Sequence, residues 1–121
     1  MTEVVAGVSL PEISDDFMRE NLPKARPFTV VLLNKTASAT EPDAPPIIWE
    51  HGRRNFSLHE SGLMPVVCPV RDDSELAGVC IFTAAADEAA RIMDGDPGVQ
   101  AGLFTYEVHA TMSFPGSTLP A

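Results

Sequence analysis

The chain is poor in cysteine, in tryptophan and tyrosine, and in positive charge. Its 121 residues hold two Cys, one Trp and one Tyr, and 8 Lys and Arg stand against 17 Asp and Glu. Two cysteines make no disulfide framework. Cys68 and Cys80 each lie in an apolar, strand-like segment, so both read as buried free thiols of a reducing compartment, with a bridge between them the lesser alternative. The formal net charge of −9 repels phosphate backbones. The best basic cluster is Arg53-Arg54, which reads as a solvated helix face, so no nucleic-acid partner is expected. No apolar run approaches the ~20 residues that span a bilayer. The start Met1-Thr2-Glu3 lacks the basic opening of a signal peptide, so the expectation is a cytoplasmic protein with no membrane partner.

Chemical motifs are equally sparse. The histidines at 51, 59 and 109 show none of the short spacings of a zinc site, and no metal is expected. Gly95, Gly98 and Gly102 follow a helix-like segment and not a strand, so they make no phosphate loop. No GxSxG nucleophile motif occurs. No cofactor is expected.

What is present is a globular pattern. A hydrophobic fraction of 45% fits one folded domain, which at this length buries roughly two thirds of its unfolded surface. Residues 1–27 read as an N-terminal arm, in which Ser14 caps a short helix through Glu20 and Pro23 stops it. Residues 28–114 read as the domain and 115–121 as a tail. Phe28 to Leu33 is a strand, apolar on both parities. Residues 34–46, with Pro42, Pro45 and Pro46, read as a loop. Ile47 to Gly62 is a helix. At ~100° per residue, Ile47, Ile48, Trp49, His51, Asn55, Phe56, Leu58 and His59 fall within an arc of roughly 200°, and Gly62 is the C′ residue that ends it.

Met64 to Cys68 is a second strand, marked as an edge by Pro65, and Arg71 to Ser74 is a turn. Leu76 to Phe82 is a third strand, again apolar on both parities. Ala84 to Met93 is a second helix, with Asp87 and Glu88 at its positive end. Gly95 and Pro97 stop it. Leu103 to Met112 is the last strand. Phe104, Tyr106, Val108 and Ala110 alternate there with Thr105, Glu107, His109 and Thr111.

The order βαββαβ is that of a ferredoxin-like α+β sandwich with a four-stranded antiparallel sheet. Two helices cover only one sheet face, yet strands one and three are apolar on both. An uncovered apolar sheet face marks an interface, so a homodimer with sheets packed face to face is expected.

The run Asp94-Gly95-Asp96-Pro97-Gly98-Val99-Gln100-Ala101-Gly102-Leu103 packs a helix stop, an acidic turn and a return into a strand into ten residues. With His51, and Gly62 eleven residues after it, and with Tyr106-Glu107-Val108 beyond the turn, it resembles the YCII-related family of the dimeric α+β barrel superfamily. The resemblance covers about residues 28–110. It departs from the family pattern at Cys68-Pro69, where the family commonly has Gly-Pro, and at Ala110-Thr111, where a Trp is common. The resemblance implies a small cleft per subunit holding a His–Asp pair. It also implies a small-molecule ligand, which some relatives supply as aromatic or chlorinated phenolic compounds.

The candidate catalytic residues are His51 and Asp96, and the candidate substrate contacts are Asn55, Trp49 and Cys68. An imidazole takes and returns protons near neutral pH, and a carboxylate on one ring nitrogen fixes the tautomer and frees the other. The chemistry expected is proton transfer on a small organic acid or phenol, as in a cofactor-independent lyase or isomerase. Two other readings compete. One is a non-catalytic binding or sensing domain, and the other an interaction module using the acidic surface and the arm. Taken singly, an inward His is more often a hydrogen-bonded core residue, and Asp before Pro is a common turn starter that could simply cap Pro97-Gly98-Val99. His59 reads as packing or a surface bond, His109 as a solvated pair with Glu107.

Overall fold

The computed structural model of the protein describes residues 2–121. The domain is one four-stranded sheet with its helices on one side. Its strands are β3 (Arg26–Lys35), β4 (Val66–Pro69), β5 (Leu76–Phe82) and β6 (Phe104–Ser113), in spatial order β4-β5-β3-β6 with every neighbouring pair antiparallel. This is the ferredoxin-like topology, with β4 at an edge. β3 is longer than the apolar run suggests, because Arg26 and Pro27 go on pairing with Ser113 and Met112 of β6.

Helix α2 (Ala44–Glu60) begins three residues before its apolar pattern does. The segment 34–46 is therefore only partly loop. It holds the end of β3, a 3-10 turn at Ala37–Thr40, and the first turn of α2. Pro45 and Pro46 sit in that first turn, where a missing N–H costs nothing. Gly62, at φ +85°, takes the left-handed position beyond the helix end. Helix α3 (Ala86–Asp94) follows β5, and a short helix, α4 (Pro97–Gln100), occupies what reads in sequence as a turn.

The core lies between sheet and helices. Thr29, Val31 and Leu33 of β3, Cys80 and Phe82 of β5, and Phe104 of β6 are buried there with Ala44, Met64, Ala89, Met93 and Leu103. The Thr29 hydroxyl donates to the Ala84 carbonyl at 2.7 Å, so its burial leaves no unmet donor. Tyr106, from the same face of β6, donates to the Asp94 carboxylate and to the Ala90 carbonyl, tying α3 to the sheet. The hydrogen bond to Asp94, then burial and the charge of that carboxylate, push the Tyr106 phenol up to about 12. Both cysteines are free thiols. Burial, then the neighbouring Cys68, pushes Cys80 to about 12, so it packs as an inert hydrophobe.

The other sheet face carries Phe28, Val30 and Leu32 of β3 and Val79 and Ile81 of β5, all half-buried. Glu107 and His109 of β6 share that face and pair loosely at 3.6 Å. The arm holds a hairpin, β1 (Val4–Val5) with β2 (Val8–Ser9), and helix α1 (Asp15–Asn21), whose cap is Ser14 accepting from the Phe17 N–H at 3.0 Å. The hairpin is absent from the sequence reading because only two residues pair on each side. Its turn, Ala6-Gly7, has positive φ at both positions, the hand that matches strand twist. Val4, Val5, Val8, Leu10, Ile13, Phe17 and Met18 are all exposed along the arm.

Helix α2 corrects the inward arc. Ala44 is buried, and Ile47 and Leu58 pack on the core. With His51 and Asn55 they form a seam at spacings of three and four. Trp49 and Phe56 lie outside it, 69% and 70% exposed. An arc of roughly 200° is about twice the stripe that a helix buries against one sheet face, so its edge residues face outward.

Candidate functional site

Asp96 is the pivot of the site, and its position follows from local chain chemistry. Pro97 can only start a helix, and Asp96 before it has extended backbone, the geometry of an N-cap. Its Oδ2 accepts the Val99 N–H at 3.0 Å. The other oxygen, Oδ1, is thereby aimed at α2, where the His51 Nδ1–H donates to it at 2.7 Å. Turn cap and histidine partner are one carboxylate with its two oxygens divided between the tasks.

The pair is withdrawn from water, with side-chain exposures of 13% for His51 and 1% for Asp96. Burial pushes the Asp96 carboxyl up. The His51 hydrogen bond, the charge of that ring and the backbone N–H groups of Val99 and Gly98 outweigh it, so the carboxyl titrates below its ordinary value. Asp96 is therefore an anion at neutral pH and accepts only. The proton between it and the ring sits on Nδ1, which leaves Nε2 as the nitrogen that can take or give a proton.

Two neighbours complete the ring's surroundings. Phe104 stands against it with centroids 4.9 Å apart and planes tilted by 44°. Asn55, one turn along α2, places its Nδ2 3.2 Å from Nε2. Gly98 sits under this group. A Cβ there would meet Phe104 ring carbons at 2.5 and 2.6 Å and Asp96 Oδ2 at 3.0 Å. Glycine is the residue that lets α4, Phe104 and the carboxylate close on one another.

The His51 ring opens into a cleft of about 280 Å³ between α2 and the β4–β5–β3 side of the sheet. Leu33, Ile48, Val67, Ala77, Met93 and Phe104 make its walls apolar, and Asn55 and His51 supply its polar side chains. No Lys, Arg, Asp or Glu lines it. Of the five candidate residues, the fold brings His51, Asp96 and Asn55 together. Cys68 borders the cleft, but alternation along β4 puts its side chain on the face opposite Val67 and Cys80, so the strand offers main chain there. Trp49 does not line the cleft. It lies on the outer face of α2 beside Arg53 and Phe56, along a separate surface groove.

Two contributors read in sequence only as structure. Phe104 is a core residue by alternation, and nothing local says that its ring will lie beside an imidazole. Gly98 reads as part of a helix stop. His59 and His109 take no part. His59 bonds the Met64 carbonyl at 3.0 Å, and His109 stays on the open sheet face. Arg53 pairs with Glu50 at 2.9 Å on the exposed side of α2. Among the described residues no three His, Cys, Asp or Glu side chains are grouped to hold a metal, and no helix is long and apolar enough to cross a membrane.

No family model matches the chain. No curated protein matches it either. Among solved structures it is similar to 5-chloro-2-hydroxyhydroquinone dehydrochlorinase of Burkholderia phenoliruptrix, determined in complex with 2,5-dihydroxybenzoquinone. The identity is 19%, the match covers 68% of this chain and 90% of that one, and the TM-score is 0.47.

Proposed function

We propose that the protein is a cofactor-independent proton-transfer enzyme, a lyase or isomerase, in which His51 is the general base and Asp96 orients it. The observation that carries this reading is the divided carboxylate. Asp96 is held as an anion at one end of a nearly buried imidazole whose other nitrogen faces a cleft. A structural histidine needs only its hydrogen bonds met. A base needs a fixed tautomer and a second nitrogen that the substrate can reach at the cleft. The bond to Asp96 supports the first, and the cleft-side place of Nε2, held in the free protein only by the Asn55 amide, supports the second. Such a base contributes roughly 10²–10⁴-fold to a proton transfer.

4-Nitrophenol tests the reading, because it colours only on ionisation and its acidity is close to that of an imidazole. Wild-type protein is expected to bind it partly as the phenolate at a pH where free ligand is mostly neutral. His51→Gln, which keeps a polar side chain but has no base, is expected to bind it without colour. Equal phenolate on both proteins would end the assignment. A phenolate band with no turnover of any hydroxy or enolisable compound would instead favour the second reading, a binding or sensing domain using the same cleft.

The proposal includes a homodimer formed through the open sheet face. Its support is the apolar row Phe28, Val30, Leu32, Val79 and Ile81, which neither helix covers, together with the exposed apolar residues of the arm. Light scattering should give twice the 13.0 kDa chain mass, and a monomer at micromolar concentration would rule the dimer out. The cytoplasm is the proposed location, on the strength of the two free thiols.

A further inference from the structure

The mechanism above leaves one polar group of the cleft without a task. In the free protein the Asn55 amide N–H donates into the lone pair of His51 Nε2 across 3.2 Å. That is the lone pair a base must offer to its substrate. When a substrate proton takes it, the half-buried amide loses its partner beside apolar walls, and a donor left unmet there is costly. Something on the substrate has to accept it.

Resting on the general-base reading, we infer that Asn55 is the oxyanion donor of the cleft. We infer also that the ligand is an electrically neutral molecule with an acidic hydroxyl, or with a carbonyl beside an acidic C–H. The proton passes to Nε2 and its bonding pair stays on the substrate. The negative charge settles on the oxygen that holds the Asn55 N–H. The spacing suits this. Two nitrogens 3.2 Å apart can both reach one oxygen at ordinary hydrogen-bond distances of about 2.8–3.0 Å. An enolate oxygen two bonds from the reacting carbon falls within the same span.

The walls select for a neutral ligand. No cation lines the cleft, and the nearest fixed charge behind the ring is the Asp96 anion. A carboxylate entering there would lose its hydration with nothing to pair it. Arg54 precedes Asn55 on the same helix but turns the other way. Its guanidinium lies over Gly95, where a Cβ would meet Nη2 at 2.9 Å, and it is not among the cleft residues. The cleft thus accepts a charge that forms inside it and resists one brought from outside. A small organic acid, half of the substrate class that the sequence suggests, fits these walls poorly, and a phenol or enolisable ketone fits them well.

The full chain, 4-nitrophenol and its slightly larger carboxylate counterpart 4-nitrobenzoate make the test. Wild type is expected to bind 4-nitrophenol as the phenolate and 4-nitrobenzoate at least tenfold more weakly. Asn55→Ala is expected to lose about 10–100-fold in phenolate binding, the worth of a hydrogen bond to a charged group. Asn55→Asp, isosteric and with no N–H to give, should lose at least as much, and it covers the case in which the alanine variant does not fold. Tighter binding of the benzoate would overturn the neutral-ligand claim. A phenolate band that needs His51 but ignores both Asn55 variants would overturn this inference alone. No band on the wild type would bring down the general-base reading and this one with it.

Discussion

Asp96→Asn is expected to leave the protein folded at neutral pH and to strip it of its base. The amide oxygen can still accept the Val99 N–H that Oδ2 accepts now, so the cap of α4 survives. The amide nitrogen then faces His51 Nδ1. A donor there forces Nδ1 to accept, and the ring proton moves to Nε2, where it blocks the lone pair the cleft needs. A loss of proton-transfer activity on the order of 10²–10⁴-fold is expected, up to the whole contribution of the base. NMR of the ring nitrogens should show the proton on Nδ1 in the wild type and on Nε2 in the variant. An unchanged tautomer would mean that Asp96 does not orient the ring.

The same substitution separates function from stability through pH. The Asp96 carboxyl is held below its ordinary value of 3.8. A group depressed in the folded state stabilises it above the unfolded value, and that contribution fades as pH falls through the folded one. Wild type should therefore exceed Asp96→Asn by roughly 1–2 kcal/mol near neutrality. The two denaturation midpoints should converge as the pH drops below 3.8. A gap that persists in acid would show that the stabilisation is packing and not charge.

Gly98→Ala carries the second large expectation, and it is a loss of stability. The added methyl would lie 2.5 Å from the Phe104 ring, well inside van der Waals contact, and 3.0 Å from Asp96 Oδ2. Phe104 is buried and packed at a tilt against the His51 ring, so it has little room to turn aside. Overpacking of this kind costs about 1–3 kcal/mol, a drop in melting temperature of roughly 4–12 °C for a domain of this size. Because the displaced ring is the one beside the imidazole, binding of 4-nitrophenol should weaken as well. Gly102→Ala is the control. Its φ of +76° strains an alanine, but nothing lies within 4 Å of the new methyl, so it should lose stability without disturbing the cleft. A Gly98→Ala protein as stable as the wild type would refute the close-packing account.

The two substitutions bear on different levels of the same chain. Strand parity and the helix stops at Gly62 and Gly95 follow from local rules that need no partner, since hydrophobic periodicity and backbone freedom are properties of consecutive residues. Those rules were enough for the βαββαβ order and for the helix-facing row of β6. They did not single out His51 and Asp96, which taken singly read as a core histidine and a turn aspartate; the family resemblance carried by the Asp94–Leu103 run and by His51 with Gly62 did that. They failed where burial depends on how wide a stripe the sheet will cover. Trp49 and Phe56 share an arc with Ile47, and only the packed sheet edge decides that they stay in water.

The site itself was only partly legible. Asp before Pro announces a cap, and an inward His announces a hydrogen bond, but each motif is satisfied by ordinary structure. What joins them is a distance across 45 residues of sequence, and no local pattern encodes it. The choice of which carboxylate oxygen caps α4 and which meets Nδ1 exists only once α2 and α4 are packed together. So does the aim of the Asn55 amide at Nε2, and so does the lack of any cation on the cleft wall. By itself the sequence determined the four strands and two main helices of the domain and their order, and, through the resemblance, the two residues worth watching. The tertiary structure decided that they form one site, because hydrogen-bond direction and the exclusion of charge arise from packing between elements distant along the chain.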